Sequence, residues 1–268
     1  MTELRELFEE FGGDGDAVLL FSPSSAIYTK YRSDTDPVVV AQENTVNAER
    51  FIQLPIEFQD LTERLRFGVE GALDHNFITD GDTVLCAAKL FSDDIDCVTR
   101  FNPSSVESPS IYDFFAGSHA DQSAIRNTLK LVISLGQSGQ KGNPVGALFT
   151  IGDAGTVVNM SRSLSYNPFE KSHVHIGDPI VDTMLKEFSR LDGAFIISDA
   201  GKIVSAYRYL EPDIEDLDIP KGLGTRHNAA AAITQETDAV TIVLSESDGR
   251  VRGFKNGSMI FNVDPELY

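Results

Sequence analysis

A chain of 268 residues, 41% hydrophobic and carrying 17 phenylalanines, has the material for one large or two modest domains with a sizeable core. Its 22 Lys+Arg against 41 Asp+Glu leave a net charge of −19, which repels nucleic-acid backbones and anionic lipid and disfavours a genome-binding role. No window approaches the roughly 20 apolar residues of a membrane span, and the opening MTELREL has neither a basic nor a greasy leader segment, so a cytoplasmic protein is expected. The acidity also suits a high-salt cytoplasm.

In chain order, apolar runs at 17–21 and 37–41 predict strands, the pattern at 58–73 predicts a helix, and Gly81-Asp82-Thr83-Val84-Leu85-Cys86 reads as a turn into a buried strand. Strands alternating with a helix make an α/β unit. Cys86 and Cys97 lack metal-type spacing and are expected to be free or buried thiols. The stretch 102–110 is a loop by composition, and it sets the expected domains at 1–115 and 120–268.

The second half opens with a helix over 121–135, whose Ile125, Leu129, Val132 and Leu135 share one stripe. The glycine-rich 136–142 lacks the Gly-Lys-Ser/Thr ending of a P-loop and follows a helix, so it is expected to be a flexible connector. The nearly uninterrupted apolar run at 144–153 predicts a central strand. A helix starts at Asp178-Pro179, with Asp178 as N-cap and Val181, Met184, Leu185, Phe188 and Leu191 on its buried side. Asp192-Gly193-Ala194 then leads into a strand, tight turn and strand over 195–206, which holds the Asp192 carboxylate at a strand mouth. An alanine-rich helix follows Thr225-Arg226-His227 to about 236, then a strand at 239–244 and a hairpin turn at 245–250.

The chemistry concentrates in this half. Thr225, Arg226 and His227 combine a hydroxyl, a guanidinium and an imidazole, flanked by Gly224 and a helix start, where a phosphate is the expected anion. A plain helix start with Thr225 as N-cap is the alternative. Asp192 beside Gly193 offers a hard oxygen to magnesium or manganese with room for bulky phosphates, or else it merely caps a turn. Ser245 and Glu246 lie just past an apolar strand, at a ligand-reaching sheet end or in a routine turn. His173 and His175 are two apart, and exposed strand histidines are the favoured reading over a metal pair.

Taken in order, 142–149 with Gly152-Asp153, Asn167-Pro168-Phe169, Asp192-Gly193-Ala194, Gly222-Leu223-Gly224-Thr225-Arg226-His227, and 234–239 through Ser245-Glu246 resemble the catalytic domain of diadenylate cyclases, the DisA_N type. The resemblance covers roughly 120–262, and its place behind a different N-terminal half is similar to the archaeal DacZ branch. It implies a central mixed β-sheet flanked by helices and condensation of two ATP into cyclic di-AMP with release of two pyrophosphates. It also implies a divalent cofactor, manganese first, magnesium or cobalt otherwise, and a homo-oligomer in which two protomers face each other with one ATP each.

By the same resemblance Asp192 binds the metal and helps activate the ribose 3′-hydroxyl, Gly193 and Leu210 line the nucleotide pocket, Thr225, Arg226 and His227 grip phosphate, and Ser245 and Glu246 close the site. Asn228 stands where the bacterial motif usually has a second arginine, and Ala229 and Ala230 replace a hydroxyl residue. That departure keeps a non-catalytic nucleotide sensor as the rival reading. The stretch 68–86 resembles, in fold only, the C-terminal domain of pyruvate kinases, which implies a regulatory or assembly role for the N-terminal half.

Overall fold

The computed structural model describes residues 17–58, 60–92, 95–105, 111–139, 142–187, 192–212, 217, 219–220 and 222–268. The chain divides into two compact units, Met1–Tyr112 and Asp113–Tyr268.

The first unit runs β1 (Ala17–Phe21), α1 (Ser25–Thr35), β2 (Val38–Ala41), β3 (Phe51–Gln53), α2 (Leu61–Asp74), β4 (Val84–Ala88) and β5 (Cys97–Phe101). Its sheet is ordered β3-β2-β1-β4-β5, parallel except for the antiparallel pairing of β4 with β5. β1, β2 and β4 are buried along their whole length, which is why they read as unbroken apolar runs and not as alternating ones. Asp60 caps α2, its carboxylate accepting from the amides of Thr62 and Glu63 at 2.7 and 3.3 Å. A methyl at Gly68 would lie 2.6 Å from the Phe21 ring, so glycine there lets α2 settle onto the sheet. Cys86 faces Thr99 and Cys97 faces Ala88 across the β4–β5 ladder, and both thiols are free. Burial pushes the Cys86 thiol up to about 12.

The chain continues through α3 (Ile111–Phe115), α4 (Gln122–Ser138), β6 (Ala147–Ile151), α5 (Ala154–Asn159), β7 (Ser161–Ser163), α6 (Pro179–Glu187), β8 (Ala194–Ile197), β9 (Ile203–Leu210), α7 (Thr225–Glu236), β10 (Val240–Leu244), β11 (Val251–Lys255) and β12 (Ser258–Val263). The second unit holds a mixed sheet ordered β12-β11-β10-β6-β8-β9-β7, in which β6 and β8 are the parallel pair. Alternation along the central strands gives each face its own core. Leu148, Ala194, Ile196 and Val243 pack against Ala230, Ala231 and Ile233 of α7. Phe149 and Phe195 point the other way and stack at 5.1 Å.

Two local expectations change. α4 runs on to Ser138, because Gly136 lets Pro265 approach to 2.7 Å of where a Cβ would sit and Gln137 donates to the carbonyls of Pro265 and Tyr268 at 2.9 and 2.6 Å. Only Gly139 onward leaves the helix, with 140–141 outside the described residues. The Asp178 carboxylate turns back to accept from the His175 amide at 2.7 Å. On α6 Val181 and Leu185 are buried and Met184 is half-buried, while Phe188 and Leu191 lie outside the described residues.

Candidate functional site

Asp192 stands two residues before β8, followed by Gly193 at φ +76. A Cβ at Gly193 would lie 2.8 Å from the Arg208 carbonyl oxygen and 2.9 Å from its amide nitrogen, so the tight approach of two backbones, as well as the left-handed conformation, requires glycine. β9 is shaped for that approach: its register with β8 shifts between Ala194 and Ile196, and Tyr207 sits at φ +57. Burial, with a contribution from the nearby Asp192 charge, raises the Tyr207 phenol above its ordinary range.

The first turn of α7 meets this turn. Gly224 is the N-cap, Thr225 is the first helical residue, and no side chain among the described residues caps the helix. Arg226 places Nη1 3.3 Å from Glu246 Oε2 and Nη2 3.9 Å from Asp192 Oδ1. One guanidinium thus draws together three segments distant in sequence, with both carboxylates more than half exposed, at 56% and 63%. Gly146, just before β6, makes room for it: a methyl there would overlap the Arg226 guanidinium and come 3.0 Å from Glu246 Cβ. Thr225, Arg226, Gly193 and Leu210 line a cleft of about 200 Å³, together with Ala229, Leu164, Tyr209 and Arg208. Asn228 is exposed, and the second guanidinium at the cleft is that of Arg208, held by Ser161 Oγ at 3.0 Å, Ser163 Oγ at 2.8 Å and the Val158 carbonyl at 2.7 Å.

His227 goes elsewhere. Successive residues of a helix point about 100° apart, and with Arg226 at the cleft the imidazole turns into the interior, 5% exposed and edge-on to Phe254. Its Nε2 lies 3.2 Å from Arg252 Nη1, and Arg252 in turn holds Asp248 at 2.5 Å. Burial first, then the Arg252 charge, pushes the His227 pKa down to about 4. A neutral imidazole that accepts from Arg252 at Nε2 carries its proton on Nδ1, which is buried without a hydrogen-bond partner. The structure thus places the His227 ring behind the helix start, against Arg252 and Phe254. Ser245 is likewise turned inward, 4% exposed with Oγ 3.2 Å from Ser247 Oγ, so its hydroxyl serves the turn that presents Glu246.

Among the described residues no group of three or more His, Cys, Asp or Glu is arranged to hold a metal ion. His173 and His175 are both exposed, with His175 Nδ1 2.9 Å from the His173 carbonyl. Asp192 and Glu246, each within 4 Å of one guanidinium, are two exposed hard oxygen donors. Such a set fits an ion that brings the rest of its ligands as phosphate oxygens and water, the usual habit of magnesium-like cations. Gly146, Arg208, Arg252 and Asp248 were missed as site residues by sequence reasoning. Of these only Gly146, inside a quoted motif, carried a signal.

Residues 1–123 match a family model described as "Diadenylate cyclase, N-terminal", and residues 135–259 match one described as "DisA bacterial checkpoint controller nucleotide-binding". A protein of Haloferax volcanii named "Diadenylate cyclase" is 56% identical over 269 residues, covering 100% of both chains. One of the same name from Methanocaldococcus jannaschii is 42% identical over 161 residues, 60% of this chain and 52% of its own. "Cyclic di-AMP synthase CdaA" of Bacillus subtilis is 38% identical over 116 residues, 43% of this chain and 40% of its own. With a full-length relative at that identity, the chain belongs to the diadenylate cyclase family.

Proposed function

We propose that this protein is a diadenylate cyclase, a nucleotidyltransferase that joins two ATP molecules into cyclic di-AMP and two pyrophosphates. In each of two steps the 3′-hydroxyl oxygen of one nucleotide forms a bond to the α-phosphorus of the other, the bond from that phosphorus to pyrophosphate breaks, and the hydroxyl proton leaves. The observation that carries the reading is the Asp192–Arg226–Glu246 arrangement beside the uncapped first turn of α7.

Arg226 and the leading amides of α7 suit the triphosphate, since both offer N–H donors and positive charge to the same opening. Gly193 and Leu210 line the wall available to the nucleoside. Asp192 is the group placed to orient and deprotonate a 3′-hydroxyl and, with Glu246, to hold a divalent cation. That cation, manganese first and magnesium or cobalt otherwise, supplies charge neutralisation at the phosphates. His227 acts through α7 and the Arg252–Asp248 pair, as a positioning residue.

The cleft of about 200 Å³ is smaller than the ~300–1,000 Å³ of pockets that enclose a small molecule. Leu164 and Tyr209 on its rim are exposed apolar side chains, as is Tyr166 nearby in sequence. Both facts support a second protomer closing over the nucleotide, so that a homo-oligomer is the active form. No helix among the described residues is long and apolar enough to cross a membrane. A cytoplasmic place, no nucleic-acid partner and a regulatory or assembly role for the N-terminal half complete the proposal.

The test is a product assay with purified protein, ATP and manganese, read by mass spectrometry. Cyclic di-AMP from the wild type and none from Asp192→Asn is the expected result. ATP bound and returned unchanged across several metals would establish the sensor reading instead.

A further inference from the structure

In the first unit the parallel strands change direction of growth between β1 and β4, and ligands of open α/β sheets bind outside the carboxyl ends of the strands at such a reversal. A cavity of about 270 Å³ opens at the carboxyl ends of β1 and β2, on one side of that reversal. Ser22 and Pro23 enter it from the end of β1, Gln42 and Glu43 from the end of β2, and its floor is made by the buried Val39, Ala41 and Leu54. Arg64 reaches it from α2 and donates from Nη2 to the Lys89 carbonyl at 3.1 Å, just past β4, so this one side chain spans the reversal. Its Nε is buried without a hydrogen-bond partner.

The polar lining decides the ligand. Arg64 is the single cation of the cavity wall among the described residues, Glu43 and Glu57 are exposed carboxylates on its rim, and Ser22 and Thr45 add hydroxyls. A dianionic phosphate ester would meet two carboxylates for one guanidinium, and a simple cation would meet a half-desolvated arginine. A molecule with one acid and one ammonium group satisfies both ends. The volume falls just below the ~300–1,000 Å³ of pockets that enclose a drug-sized molecule, which suits a small ligand.

We propose that this cavity binds a small zwitterion of the α-amino-acid class, its carboxylate on Arg64 and its ammonium on the rim formed by Glu43 and Glu57. The site belongs to the first unit and stands independently of the nucleotide chemistry of the second.

The experiment titrates the full chain with the standard amino acids at millimolar concentration, by thermal shift and then calorimetry, with inorganic phosphate and propionate as comparators. Saturable binding of at least one amino acid, one per chain, is expected. Arg64→Gln should abolish it, and Glu57→Gln, at an exposed position that does not threaten folding, should weaken it about tenfold. Asp192→Asn should bind as the wild type does, which separates this site from the nucleotide cleft. No binding by any amino acid, equal binding of phosphate or propionate, loss of binding in Asp192→Asn, or unchanged affinity in Glu57→Gln would each overturn the proposal. Nucleotide turnover is not the readout, so a failure here leaves the cyclase reading untouched.

Discussion

The Nη1 atom of Arg252 lies 3.2 Å from Nε2 of His227, and this contact ties the first turn of α7 to β11 and, through Asp248, to the turn that carries Glu246. The two residues flanking the site along the chain, Arg226 and Glu246, are thus held from behind by the same buried pair.

That pair makes stability depend on pH in a defined window. His227 has its pKa lowered from 6.5 to about 4, so between these values the unfolded chain binds the proton more strongly than the folded one. The stabilisation is complete above pH 6.5 and is lost as pH falls toward about 4. Asp248, lowered from 3.8 by its bond to Arg252, adds its own loss only in stronger acid. Urea midpoints measured along this range should fall for the wild type and fall less steeply for His227→Phe.

Arg226→Ala should reduce turnover by roughly 10²–10³-fold, the size of effect seen when one preorganised charge donor is removed from an active site. Its melting temperature should barely move, because both bridges are exposed and such pairs contribute at most about 1 kcal/mol. A product assay beside a melting curve checks both halves. A large loss of stability with turnover intact would contradict the role given to Arg226.

Gly146→Ala tests the same guanidinium from the other side. The residue is not in the left-handed region, so alanine suits its backbone, yet the added methyl overlaps the Arg226 guanidinium. Folded protein with impaired ATP turnover is expected, seen as an unchanged circular dichroism spectrum with reduced cyclic di-AMP formation.

Phe195→Ala addresses the scaffold. Phe195 is fully buried, stacks on Phe149 at 5.1 Å and meets Phe169 edge-on at 6.4 Å. Removing it should cost about 3–5 kcal/mol, the range for an aromatic deleted from a core, and denaturant titration measures it directly.

Much of the scaffold was legible because its strands are buried on both sides. The runs at β1 and β2 are wholly apolar, those at β6 and β10 are broken only by a buried threonine each, and α4 and α7 carry stripes or alanine between clear ends. The three-residue β7, Ser-Arg-Ser, is polar and partly exposed, and its pairing with β9 depends on contacts no local pattern encodes. The short α5 begins at Asp153 in the left-handed region and likewise escapes propensity. At the candidate site, glycine beside Asp192 and the Thr225–Arg226 helix start were visible as residue types. The inward turn of His227 was not, since a basic-looking run does not say which of two neighbouring helical positions meets the core.

The helix start at Gly224 has one further consequence. Because no side chain among the described residues caps α7, the leading amides at Thr225 and Arg226 are left to an outside hydrogen-bond acceptor. In the function proposed above, an incoming triphosphate would complete that first turn, so that loading the enzyme is also a small act of folding. Deuterium uptake at those two amides should slow when nucleotide is present, reporting occupancy without any turnover.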